Sequence, residues 1–211
     1  MISKKVAIFD IDKTIISGDS MFHLLQYTKI KYPASKAKLP SLYIKLVLYK
    51  LGLINTQKAK EAMFYTFNYL NSDDLKSFYN SILKEKIFSN ALDKMKVLKN
   101  NGYFILLVSA SPEAYLKYFE DEEYVNFVIG TKFKYAQNKV TNQMDGINCK
   151  GDEKVVRINT YLKSQNISID KENSVAFSDS LSDTPMFNLV KKAYLINFKK
   201  NNDTYEVLKW K

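Results

Sequence analysis

The sequence predicts an α/β fold: a parallel sheet covered by helices on both faces and interrupted after its first strand by an all-helical insertion. Three observations carry this expectation. The runs Val6-Ala7-Ile8, Phe104-Ile105-Leu106-Leu107-Val108 and Ser174-Val175-Ala176-Phe177-Ser178 have the length and apolar content of buried strands. Segments of helical periodicity alternate with them across short connections. Residues 19–88, by contrast, lack strand-like alternation and are rich in Leu, Tyr, Phe and Lys.

The elements follow in order. Residues 5–10 read as a buried strand. In the helical stretch, Pro33 and Pro40 break the first part. Asn55-Thr56 caps a helix running through Ala62, Met63, Phe64 and Phe67, and Asn71-Ser72-Asp73-Asp74 supplies the cap and first-turn acids of the next. Residues 89–100 form an amphipathic helix with Ala91, Leu92, Met95 and Leu98 on one stripe, ended by Asn101-Gly102. A strand is expected at 103–109. Ser111-Pro112-Glu113 then has the residue types of a helix start: capping hydroxyl, proline, acid. Residues 124–131 read as a strand, followed by a β excursion through Val140. The remainder is a helix at 152–164, a strand at 173–178, a helix at 184–192 and a last strand at 193–197.

The chain has 211 residues, 46% of them hydrophobic, which suits a packed core with a sizeable insertion. Cys149 is the only cysteine, so an internal disulfide and a cysteine-based metal cluster are excluded. The first apolar run stops at Asp10, too early for a signal peptide, and a cytoplasmic location is expected. The net charge is +10, but the lysines are scattered and Arg157 is the only arginine. Nucleic-acid surfaces concentrate basic residues on one face, so no nucleic-acid partner is expected.

Asp10, Ser109 and Asp179 each close an apolar run. In an open parallel sheet, ligands bind beyond the carboxyl ends of the strands, so topology gathers these residues at one rim. Asp10 and Asp12 are two positions apart and face the same way on an extended segment. Such a pair repels, and a magnesium ion, which prefers oxygen ligands and a substrate phosphate, would relieve it. Asp179 adds a carboxylate from a neighbouring strand. Asp183, at a helix start, is placed to hold the metal's water shell or Lys154. Asp10 is then the candidate nucleophile of a phosphoryl transfer, and Asp12 the group that protonates the leaving alcohol and later deprotonates water. Lys154 offers positive charge to the transferring group, and Ser109 a hydroxyl. The helix start near Ser111 adds an anion site. Thr14, Asp19, Ala110 and Ser111 are the expected substrate contacts.

With these residues in place, the chain resembles the haloacid dehalogenase superfamily, within it the phosphoserine-phosphatase-like subgroup with a helical cap. Asp10-Ile11-Asp12-Lys13-Thr14 matches the first motif, Ser109 the second, Lys154 the third, and Asp179 with Asp183 the fourth. The resemblance implies a Rossmann-like core over residues 1–18 and 88–211 and a cap over 19–87. It also implies a magnesium-dependent phosphatase of small phosphomonoesters, with the metal held by Asp10, the backbone carbonyl of Asp12, and Asp179, Asp183 supporting. Two departures stand out. Lys13 occupies a position where Gly or Ser is common. Phosphoserine phosphatases carry a Glu after the first motif and a cap arginine; here Asp19 is the nearest acid and the cap has no arginine, so phosphoserine is not the expected substrate.

The stretch from Leu39 to Ile54 is strongly apolar, with Lys38, Lys45 and Lys50 interspersed. The preferred expectation is a buried cap helix whose lysines snorkel. The competing one is contact with an anionic membrane surface or a lipid phosphate. His23 and Trp210 are expected to be packing residues. Transfer to an acceptor other than water, as in a phosphomutase, shares every site residue with hydrolysis, and oligomeric state is unconstrained.

Overall fold

The computed structural model describes residues 1–200 and 202–211. Its centre is a six-stranded, all-parallel sheet. The strands are β2 (Val6–Phe9), β3 (Phe104–Pro112), β4 (Phe127–Thr131), β8 (Val175–Ser178), β9 (Lys192–Ile196) and β10 (Glu206–Leu208), in the order β10-β9-β8-β2-β3-β4. Two strands outside it, β1 (Ile2–Lys4) and β7 (Ile167–Ile169), pair with each other. Strand β2 is central and fully buried. Its side chains alternate: Ala7 and Phe9 enter one apolar cluster, Val6 and Ile8 the other. Helices α5 (Ser89–Asn100) and α6 (Glu113–Leu116) cover the first face. Helices α7 (Asp152–Ser164) and α8 (Thr184–Phe187) cover the second through Ile158, Leu162, Met186 and Phe187.

The insertion consists of α1 (Ser20–Lys31), α2 (Leu39–Lys50), α3 (Thr56–Met63) and α4 (Ser72–Phe78), with 3-10 turns at Pro33–Lys38, Phe64–Asn68 and Lys84–Lys86 and a π turn at Tyr79–Leu83. The caps read from sequence form. Asn55 accepts the Lys58 N–H, and Asn71 with Asp74 makes a reciprocal capping box. The chain enters and leaves this segment side by side: Ser17 N–H donates to the Lys86 carbonyl (2.8 Å) and Phe88 N–H to that of Ile15 (2.9 Å). A hairpin of β5 (Phe133–Ala136) and β6 (Lys139–Met144) reaches from the sheet side to the insertion, where the Met144 N–H and the Asn142 amide bond Glu61.

Several expectations need correction. Strand β3 runs on to Pro112 through a register shift, so Ser111 lies in the strand and caps nothing; α6 begins at Glu113 and is only four residues long. The Ser111 hydroxyl is drawn instead to Asp12. The expected strand at 124–131 starts at Phe127, because Tyr124 and Val125 turn into the core. The helix at 184–192 stops at Phe187, since Lys192 already belongs to β9. Helix α3 ends at Met63 and tightens into a 3-10 turn instead of running through Phe67 as α-helix. The largest departure is α2. Only Leu42 of that helix is buried, and Tyr43, Ile44 and Val47 are exposed. Two lesser expectations hold: His23 bonds the Ser17 carbonyl (2.8 Å), and Trp210 packs on Phe9 and Phe177, clasped by Asn197. No helix among the described residues is long and apolar enough to cross a membrane.

Candidate active site

The carboxyl ends of β2, β3 and β8 open into one cavity of about 390 Å³, lined from below by Asp10, Asp12, Ser109, Lys154, Asp179 and Asp183. Asp10 leaves β2 with its N–H bonded to the Phe177 carbonyl of β8 (2.9 Å), which fixes the loop against the neighbouring strand. Lys154 enters from the first turn of α7, whose preceding residue, Gly151, has φ +60°. Its ammonium is almost fully buried, 2.7 Å from Asp10 Oδ1 and 2.8 Å from Asp183 Oδ2. A buried ammonium without partners would be costly; here the acids on both sides raise its pKa against the effect of burial.

Burial pushes the Asp10 carboxyl up to about 7, with Asp183 and Asp12 adding to the effect and Lys154 opposing it. Asp179 and Asp19 are raised as well, burial being the main cause in both. The floor gathers four aspartates, Asp10, Asp12, Asp179 and Asp183, around the one buried ammonium of Lys154. Its donors are all oxygen atoms, the set a magnesium ion prefers. Among the described residues no three His, Cys, Asp or Glu side chains form a metal-binding group by themselves. An ion here would draw on main-chain, water or substrate oxygens beside the carboxylates.

The carboxylate of Asp12 is held apart from that of Asp10 by its own partners. It accepts from the Ser20 N–H (2.6 Å), Ser111 Oγ (2.6 Å) and Ser109 Oγ (3.0 Å). Ser20 Oγ in turn meets Ser111 and the buried hydroxyl of Tyr115. The second carboxylate is thus tied to the first turn of the insertion.

Two expected site residues are engaged by neighbouring side chains. Thr14 is fully buried and lies outside the cavity lining. Its hydroxyl donates to Asp10 Oδ2 (2.9 Å) and accepts from the Asp179 N–H (2.9 Å), so it straps two acid-bearing loops together and has no lone donor left for substrate. Asp183 Oδ2 accepts from Lys154 and from Ser178 Oγ (2.6 Å), the lysine-holding arrangement that the sequence left open beside a metal contact. Asp19 and Ala110 do line the cavity. Asp19 also caps α1 through the Met21 N–H, and the Ala110 carbonyl accepts from Thr131 Oγ1 (2.7 Å).

Lys60 is absent from the sequence-based set. It reaches from α3 into the cavity and donates to the Ala110 carbonyl (2.5 Å) and to Asn148 Oδ1 (2.6 Å). Burial lowers its pKa to about 8. Its signal in the sequence is slight: a lysine beside Ala59 and one turn before Met63, on the inward side of an amphipathic helix. Met21, Tyr49, Ala59, Met63 and Phe64 complete this wall, which is largely apolar.

A parallel sheet with an acid-lined rim and a helical insertion after its first core strand gives an α/β fold with a candidate active site at its strand ends. The sequence model of the haloacid dehalogenase-like hydrolases matches residues 7–188, and the chain belongs to that family. No curated protein sequence matches it. Among solved structures, a protein of unknown function from Bordetella pertussis Tohama I superposes with TM-score 0.82 at 19% identity, covering 98% of both chains. A substrate-bound phosphoserine phosphatase gives TM-score 0.65 at 17% identity over 93% of this chain and 87% of the other. A phosphoserine phosphohydrolase-like protein from Francisella tularensis gives 0.64 at 20% over 91% and 87%. At these identities the likeness establishes a shared fold.

Proposed function

We propose that the chain is a magnesium-dependent phosphatase of small phosphomonoesters that works through an aspartyl-phosphate on Asp10. The observation that carries this reading is the placement of Lys154 between Asp10 and Asp183, in a cavity that Asp12, Ser109 and Asp179 also line. In the first step an oxygen of Asp10 attacks phosphorus, the bond from phosphorus to the alcohol oxygen breaks, and the alcohol takes a proton from Asp12. In the second, Asp12 takes a proton from water, the water oxygen attacks phosphorus, and phosphate leaves with Asp10 restored. Lys154 and the Ser109 hydroxyl neutralise charge on the transferring group. Asp10, Asp179 and the Asp12 carbonyl would hold a magnesium ion, which supplies Lewis-acid neutralisation of the phosphate and keeps the buried Asp10 carboxyl ionised.

On this reading residues 19–87 are a cap hinged at the paired crossings near Ser17 and Phe88, over a core of 1–18 and 88–211. The cap presents Lys60, Tyr49, Met63 and Phe64 to the substrate's leaving group. The arginine clamp for an amino-acid carboxylate is missing. Arg157, the only arginine, donates to Glu153 and to the Gly130 and Ile147 carbonyls. A phosphomonoester with an apolar body is therefore preferred over phosphoserine.

The test is release of free phosphate from an aryl phosphate with magnesium present and after chelation, with Asp10→Asn as control. Metal-dependent release that the variant abolishes is the expected result. Activity that survives in Asp10→Asn overturns the nucleophile assignment, and alcohol released without free phosphate points to transfer instead of hydrolysis. A substrate panel in which phosphoserine outruns all other esters overturns the specificity reading.

A further inference from the structure

Helix α2 is apolar on two sides, and the protein covers only one of them. Leu42 is buried, and Leu39 and Leu46 pack with it against Ala62 and Tyr65. The opposite side carries Tyr43, Ile44, Val47 and, one turn on, Leu51; Leu53 follows the Gly52 turn. Their exposures run from 55% for Val47 to 68% for Leu53. At 3.6 residues per turn, positions 43, 44, 47 and 51 form one stripe. A helix that is apolar all round is ordinarily buried, and a contiguous exposed apolar face marks an interaction surface.

The charge around this stripe specifies the partner. From Ser20 to Lys60 the chain has eight lysines and no aspartate, glutamate or arginine, so most of the net charge of +10 belongs to this one segment. Lys36, Lys38, Lys45 and Lys50 are all exposed beside the apolar stripe. A second copy of the chain would bring like charges together across the contact. An anionic bilayer satisfies both features: the apolar side chains enter the acyl boundary while the ammonium groups meet head-group phosphates.

We propose that the exposed face of α2 docks on an anionic lipid surface. Tyr49, on the same helix, lines the cavity, so docking holds the cavity mouth near head-group level. The inference rests on α2 alone and stands whether or not the phosphatase reading does.

The test is co-sedimentation of the full chain with phosphatidylcholine vesicles with and without phosphatidylglycerol, at low salt. Pelleting with the anionic vesicles only is expected. The triple variant Ile44→Ser/Val47→Ser/Leu51→Ser should bind them at least about tenfold more weakly with an unchanged melting temperature. Lys45→Glu/Lys50→Glu provides a second variant that leaves the apolar stripe intact; it should also weaken binding. Failure of the wild-type chain to pellet overturns the proposal. So does binding that both variants leave unchanged, or self-association, seen by sedimentation velocity, that the triple variant abolishes in place of vesicle binding.

Discussion

The strand-end floor of the cavity and the helical wall above it differ in how tightly each side chain is specified. On the floor nearly every polar group has several partners. Lys154 has two acids, Asp12 has three donors, and Thr14 bonds both Asp10 and the Asp179 backbone. The wall is built from short helices and 3-10 turns carrying Met21, Tyr49, Met63 and Phe64, with Lys60 and the α1 cap Asp19 as its charged side chains in the lining. The contrast teaches that the acid-lined floor is held by interlocking side-chain bonds, whereas the helical wall is held mainly by apolar packing against the same core. Removal of the floor's counter-charge should therefore disturb both catalysis and folding, an isosteric change of Asp10 catalysis alone, and removal of a wall group affinity.

The largest effect tests the floor. Asp10→Asn should reduce turnover by about 10⁴-fold or more while the protein stays folded, measured as phosphate release and by thermal melting. Lys154→Met should follow. It leaves Asp10 and Asp183 facing each other without a counter-charge, and a loss of roughly 3–5 kcal/mol in stability is expected by denaturant titration, together with most activity. If Lys154→Met melts like wild type, the floor is less interdependent than its bonding suggests.

The pH response separates the two regions further. Asp10 is raised to about 7, above its unfolded value, so the native chain holds that proton more tightly than the unfolded one. The stabilisation this gives is fully present below the unfolded carboxylate pKa and is lost as pH rises through about 7. Melting temperature in chelator should fall between about pH 4 and pH 7 on this account, and Asp10→Asn should flatten the fall. Magnesium should restore stability selectively at the upper end. The wall is tested by Lys60→Met, expected to raise KM about tenfold with a smaller change in kcat. A fall in kcat alone would move Lys60 from substrate binding to the chemistry. The smallest effect belongs to Lys13, which holds φ +59°; Lys13→Gly relieves the left-handed conformation and should change stability by no more than about 1 kcal/mol.

The same division explains what could be read from the sequence. Asp10, Ser109 and Asp179 were legible because each ends an apolar run, and the carboxyl-end rule of parallel sheets then locates them. Lys154 was legible once those three fixed the rim. Thr14 and Ser20 were not, since their roles lie in which neighbours their hydroxyl and N–H groups reach. Lys60 looks like any other helix lysine until α3 is packed over the Ala110 carbonyl. The edge strand β10 and the β1–β7 pair are three residues each, too short to leave a periodicity. The exposure of α2 was the less favoured of two readings for a different reason: apolar composition signals burial only where something is present to cover the helix.

The position of β2 has a consequence for how quickly the chain finds this arrangement. It is the middle strand, yet Val6 pairs with Phe104 and Ala7 with Val175, and few contacts in the sheet are more distant along the polypeptide. Two very large loops must close before the strand that leads to Asp10 has either neighbour, while α1 to α4 form from nearby residues. Refolding should therefore be slow and late for the catalytic rim, with the helical segment structured early and its uncovered face open to aggregation in the interval.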